Sequence, residues 1–234
     1  MKNLKRKTKV IVRSWKLGDF FRNFLAIVLG VVVTFVGSDM ITEYNSQKEL
    51  AKAMQLVKSE LLLNRKEVSE MQERMFLERN SSYYLLQYKG RMHEASRDSL
   101  NKYSSIPFQY AYYTFVDDAM EMLKTSSLIQ KIEDKELALQ IIKTYGGIKE
   151  ADISFKSFSE AKNRLQSALT LNPEINKFLV DSRDVTEVWE FLFKYPESIN
   201  LVQQIPNIHG NRIPFQNCLD EIDQAIAVID KEYN

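Results

Sequence analysis

The chain has almost no cysteine, histidine, glycine or proline, and each shortage removes a class of structure or chemistry. A single cysteine, Cys218, cannot close an internal disulfide in a chain of 234 residues. It also lies far from the N-terminal run in which an acylated lipoprotein cysteine would sit. It reads as a small buried hydrophobe rather than a nucleophile. The two histidines, His93 and His209, stand far apart with no HExxH spacing and no neighbouring cysteine. The sequence therefore predicts no metal site, no cofactor site and no catalytic residue. Seven glycines and five prolines supply too few tight turns for an all-β fold, so an all-α fold is expected.

Long uncharged apolar runs are also scarce, and the one exception is Phe24 to Ser38, FLAIVLGVVVTFVGS. Fifteen residues at about 1.5 Å each cover roughly 22 Å, short of the roughly 30 Å hydrocarbon core of a bilayer. Phe20, Phe21, Met40 and Ile41 extend the apolar surface, and Arg22 can carry its charge to the headgroups. A transmembrane helix over 19–41 is the expectation. A buried core helix and a cleaved signal peptide ending near Ser38 are the competing readings. The long basic segment before the run and the helical pattern continuing after it favour a retained anchor.

Charge sets the expected orientation. Residues 1–22 carry eight Lys and Arg against one acid, Asp19, a net +7 in a chain whose total is +1. The positive-inside rule keeps residues 1–18 in the cytoplasm as a basic arm and places 42–234 outside. A nucleic-acid-binding arm is the other use of such lysines, but beside a membrane segment a topology signal suffices. Ala26, Gly30, Thr34 and Ser38 recur every fourth residue, a face of small side chains on which a second membrane helix could pack.

Beyond the anchor, Met40 to about Arg79 contains neither glycine nor proline and reads as a continuous helix. Leu50, Met54, Val57, Leu61, Asn64, Val68, Met71 and Met75 alternate four and three apart, a coiled-coil spacing. Leu56, Leu62 and Leu63 widen that stripe and favour packing inside the chain's own domain, with Asn64 as a register-fixing polar group. A break is expected at Asn80, Ser81 and Ser82, a short second helix over 83–95, and a loop over Asp98 to Ser105. The aromatic stretch from Phe108 to Leu123, FQYAYYTFVDDAMEML, has faces that fit a helix, and Asp117, Asp118 and Glu121 read as its solvated acidic face.

Ser127 with Gln130 has capping-box spacing, and Asp134 caps a long helix to Asn172 in which Gly146 and Gly147 are the weak point. This helix and the one leaving the membrane are expected to pair antiparallel. Asn172–Pro173 restarts a short helix to Val180, and Asp184 with Glu187 opens another over 185–195. Residues 200–213 read as irregular. A last helix after Pro214 would bury Phe215, Cys218, Leu219, Ile222, Ile226 and Ile229.

Three stretches, AIVLGVVVTF (Ala26 to Phe35), SELLLNRKEV (Ser59 to Val68) and MLKTSSLIQKIEDKELALQIIKTY (Met122 to Tyr145), resemble a family of single-pass membrane-anchored proteins of Gram-negative bacteria classed as a domain of unknown function. The resemblance covers about the first 145 residues. Ser127 stands where the family usually has glycine, and SDMITEYN replaces the Trp-containing outer end of its membrane helix. The resemblance implies an inner-membrane anchor and a helical periplasmic domain, and it transfers no catalytic residue.

The expected protein is thus all-α: a transmembrane helix continuing into a periplasmic helical bundle built on two long antiparallel helices. Its expected role is non-catalytic, as an interaction or scaffold protein. The bilayer, a membrane or periplasmic protein and a second copy are the expected partners, and nucleic acid is not. A ligand-binding sensor that signals through a partner is the alternative.

Overall fold

In the computed structural model the backbone is described for residues 2–181, 184–209 and 215–233, and the side chains for these except 2–23, 35–39, 41, 179–181 and 206–209. Among the described residues the chain is helical with no strand: eight α-helices and three one-turn 3₁₀ segments. It divides into two compact units, Met1–Lys52 and Ala53–Asn234.

The described residues of the first unit are helical and form the N-terminal part of α1, Lys2–Gln87. Phe24, Leu25, Ile27, Leu29 and Val33 are exposed on it. Among the described residues no helix is long and apolar enough to cross a membrane. The side chains of 19–23, 35–39 and 41, which complete the expected span, lie outside the described residues.

The second unit is built on three long helices. The remainder of α1 buries Val57, Leu61, Val68, Met71 and Met75, so this part of the heptad-like seam is filled by its own domain. The flanking leucines do not join it: Leu56, Leu62 and Leu63 are about half exposed. The expected break at Asn80 is absent, and α1 runs on to Gln87. Ser81 and Ser82 are fully buried, and the Ser81 hydroxyl donates to the Tyr103 carbonyl at 2.7 Å. A tertiary partner thus absorbs residues that locally favour a cap. The helix ends instead before Gly90, whose φ of +80° suits glycine.

The expected loop at 98–105 is largely helical, as α2, Arg97–Tyr103. Next come an extended segment and then α3, Asp118–Thr125. Ser127 follows at φ +58°, so the tight left-handed turn forms although serine occupies it. Its side chain makes no cap bond. Because a non-glycine residue in this region costs about 1–2 kcal/mol, partly offset by the greater backbone entropy glycine loses, Ser127→Gly is expected to raise stability by roughly 0.5–1 kcal/mol in urea denaturation.

α4, Lys135–Thr170, is capped as expected by Asp134, whose carboxylate accepts from the Glu136 and Leu137 amides. It passes through Gly146 and Gly147 without interruption. α5, Pro173–Asp181, and α6, Val185–Leu192, follow, the latter capped by Asp184. α7, Pro196–His209, is helical across the region expected to be irregular. Its Leu201, Val202 and Ile205 are buried and it packs on α4, which supplies the order that Pro206 and the following residues do not signal. Residues 210–214 lie outside the described residues. α8, Gln216–Tyr233, buries Cys218, Leu219, Ile222, Ala225 and Ile229, with Ile226 half-buried.

The directions of the long helices correct the antiparallel expectation. Tyr145 of α4 meets Glu60 of α1, and Lys162 meets Glu78, so α1 and α4 are parallel. α8 is the antiparallel partner, with Lys58 on Asp230, Arg65 on Asp223 and Gln72 on Gln216. The cause is the long connection between α1 and α4. It carries the chain back along α1 before α4 starts, as crossover connections do in helical bundles.

Candidate functional site

The least regular part of the second unit holds its densest polar chemistry. Residues 109–117 contain no helix, turn or bend, where the sequence predicts a helix. Tyr110, Tyr112 and Thr114 are exposed while Ala111, Tyr113 and Phe115 are half-buried. This is the period of two of an extended chain, which aromatic and β-branched residues favour. We term the segment the strap.

One stripe of α1 fastens it. The Asn64 amide donates to the Val116 carbonyl at 2.7 Å and accepts from the Val116 amide at 2.9 Å, as a neighbouring strand would. Glu67 accepts from the Thr114 amide at 3.1 Å and Glu60 from the Ala119 amide at 2.8 Å. The Tyr113 hydroxyl donates to the Glu70 carbonyl at 3.2 Å, and Arg74 donates to the Gln109 carbonyl at 3.2 Å. The strap therefore runs antiparallel to α1, and main-chain groups that no helix satisfies find side chains instead. Asn64 does fix a register, but that of the strap and not that of a two-chain coil.

At the Gln109 end sits a buried ion pair. Lys162, 2% exposed, donates to Glu78 at 2.5 Å, to the Ile106 carbonyl at 2.9 Å and to the Gln109 carbonyl at 2.7 Å. All three ammonium protons have acceptors. Arg74 donates to the same Glu78 oxygen at 2.6 Å. Burial pulls the Lys162 pKa below its ordinary value, against the upward pull of Glu78. Gln166 donates to the Pro107 carbonyl and accepts from the Tyr110 hydroxyl.

At the Phe115 end a cleft of about 450 Å³ opens between the strap, α3 and α4, lined by Phe115, Asp117, Met120, Ile142, Tyr145, Gly146 and Lys149 among others. Tyr145 at its edge donates to Glu60. Burial first, then the bond to Glu60 and the charges of Glu60 and Asp117, push its pKa far up. At neutral pH it is a proton donor to Glu60 and no base. Tyr113, half-buried within the strap, is pushed up to about 12, chiefly by burial.

Asp117, Asp118 and Glu121 are exposed, and Glu121 pairs with Lys124 at 2.9 Å. Cys218 is buried. His93 is exposed beside Glu190 at 3.6 Å, and the His209 side chain lies outside the described residues. Among the described residues no group of three or more His, Cys, Asp or Glu is placed to hold a metal ion. On the small-residue face, Ala26 and Gly30 are exposed, a Cβ at Gly30 would meet nothing within 4 Å, and the Thr34 hydroxyl donates back to the Gly30 carbonyl at 2.7 Å. The Ser38 side chain lies outside the described residues.

Sequence reasoning missed the strap-holding set Glu60, Glu67, Arg74, Glu78 and Lys162. The available signal was the spacing of Glu60, Asn64, Glu67, Arg74 and Glu78 along one flank of the apolar seam. These features define an all-α domain that holds an extended surface segment in place. No protein-family model, curated protein or solved structure matches the chain.

Proposed function

We propose that this is a non-catalytic interaction or scaffold protein, anchored by its N-terminal helix in a bacterial inner membrane with the second unit in the periplasm. The observation that carries the interaction role is the set of large apolar side chains exposed on that unit. Leu56, Leu63 and Met122 line an apolar groove of about 390 Å³ beside Ala119, and Leu139, Ile142, Ile153 and Leu171 are exposed on other parts of the surface. Contiguous exposed apolar surface marks a contact site. The anchoring rests on the Phe24 to Ser38 run, the +7 arm before it and the family resemblance. Ala26, Gly30, Thr34 and Ser38 are its proposed helix-pairing face.

Crosslinking in native membranes, followed by identification of co-purifying chains, tests the role. A reproducible partner or a covalent dimer is expected, and recovery of the monomer alone would overturn it. A periplasm-active reporter fused after Asn234 is expected to be active; activity of a cytoplasm-dependent reporter instead would reverse the orientation. The cleft beside Tyr145 favours a second reading, a sensor that holds a small molecule. Thermal stabilisation by a defined metabolite would select it.

A further inference from the structure

The cleft between the strap, α3 and α4 has an apolar floor and an ionic mouth, and not all of its charges have partners. Met120 and Ile148, 1% and 3% exposed, form the floor with the half-buried Phe115. Among the charged side chains that line it, Glu121 and Lys124 pair with each other at 2.9 Å, and Asp152 pairs with Lys156 at 2.6 Å. Asp117 and Lys149 also line it, and neither has an ion-pair partner among the described residues. The Asp117 carboxylate makes no cap bond at the start of α3 either. Asp117 stands where the strap meets α3 and Lys149 stands on α4, so two walls of the cleft each present one unpaired charge, of opposite sign. Gly146 lies on the α4 wall between Tyr145 and Lys149, and a Cβ there would meet nothing within 4 Å. At about 450 Å³ the space is of the size that small molecules fill, apolar inside with a few polar groups to orient the occupant.

We propose that the cleft binds a free α-amino acid with an apolar side chain, its ammonium group on the Asp117 carboxylate, its carboxylate on the Lys149 ammonium and its side chain on Phe115, Met120 and Ile148. This rests on the second reading above, that the cleft holds a small molecule, and names the class of that molecule. Counting Lys156, the mouth sets the carboxylates of Asp117, Glu121 and Asp152 against the ammonium groups of Lys124, Lys149 and Lys156. The charges balance, so an occupant with a net charge would leave one of them unmatched. A neutral apolar occupant would cover both Asp117 and Lys149 without pairing either, which costs free energy. A zwitterion satisfies both at once. The Tyr145 hydroxyl is committed to Glu60, so the ammonium group is left to Asp117. Each of the two ionic contacts is weak in water taken singly, and the apolar floor beside them supplies the remaining affinity.

Isothermal titration calorimetry of the full chain in detergent micelles tests this, with L-leucine as the probe. Saturable binding at one site is expected. L-alanine, N-acetyl-L-leucine and L-leucinamide lack the large apolar group, the ammonium group and the carboxylate in turn, and each is expected to bind roughly tenfold or more weakly. Asp117→Asn and Lys149→Met change exposed, unpaired side chains, so each is expected to weaken L-leucine binding by roughly tenfold or more with the melting temperature unchanged. Gly146→Leu, which fills the cleft while favouring the helix, is expected to abolish binding without lowering the melting temperature. Absence of L-leucine binding, equal binding of N-acetyl-L-leucine or L-leucinamide, or unchanged affinity in any of the three variants would each overturn the proposal. Should a molecule of another class stabilise the protein and lose its effect in Gly146→Leu, the cleft would stand as a ligand site while the amino-acid assignment fell.

Discussion

Replacing Lys162 by alanine is expected to lower stability by about 3–5 kcal/mol, the usual cost of breaking a buried ion pair by removing one partner. The side chain is 2% exposed and all its donors are used, on Glu78 and on two carbonyls of the segment entering the strap. Without it Glu78, itself 2% exposed and already holding one oxygen without a partner, depends on Arg74 alone. The pair is not expected to be strongly stabilising in itself, since burial of both charges offsets most of their attraction. Lys162→Met combined with Glu78→Gln is therefore expected to recover a large part of the loss. Urea denaturation of the three proteins decides this, and a single variant within about 1 kcal/mol of the parent would show that the pair is not a buried one.

Above about pH 10, stability is expected to fall as the pH rises. Burial, with smaller contributions from Glu221 and Glu150, pushes the Cys218 thiol from its ordinary 9.0 up to about 12. Between those values the unfolded chain releases this proton and the folded chain keeps it, so the folded state loses up to about 1.4 kcal/mol per pH unit. From its ordinary 10.0 upward Tyr145 adds a second loss of the same sign, since burial and Glu60 raise its pKa as well. Lys162 acts oppositely: its pKa is lowered from 10.5, so the folded state gains as the pH rises toward that value. Tyr113, Tyr195 and Tyr233 are raised from 10.0 as well, so Cys218 and Lys162 oppose each other below about pH 10 and the losses outnumber the gain above it. Urea midpoints from pH 7 to 11 are expected to bend downward above about pH 10, and Cys218→Ala and Tyr145→Phe are each expected to make that fall shallower. A flat profile in the parent protein would mean that neither group is buried.

Much of the architecture was readable because it rests on local rules. Asp134 and Asp184 cap α4 and α6 as their spacing implies, and Pro173 opens α5. The apolar period along α1 and α8 marks the residues that are buried. The failures share one cause. Ser81 and Ser82 look like a cap until the Tyr103 carbonyl meets Ser81. Residues 200–209 look irregular until Leu201, Val202 and Ile205 are buried. Tyr110 to Phe115 look helical because aromatic residues fit either period, and only partners on α1 and α4 choose between them.

The site was less visible than the fold. Asn64 stood out in the seam as a polar residue wanting a partner, yet its partner, the Val116 main chain, is 52 positions away. Glu67, Arg74 and Lys162 have the composition of ordinary solvated helix faces; only the spacing of the α1 residues along one flank of the seam hints at a shared partner, and nothing local marks Lys162.

By itself the sequence determined an all-α chain, its caps, most of its core and an apolar run preceded by a strongly basic arm, because each depends on residues within a turn or two of one another. Only the tertiary structure decided that α1 and α4 are parallel, that α8 is their antiparallel partner and that an extended strap lies between them and solvent. Those outcomes depend on which distant groups satisfy a buried main chain or a buried charge, and that pairing has no local signature.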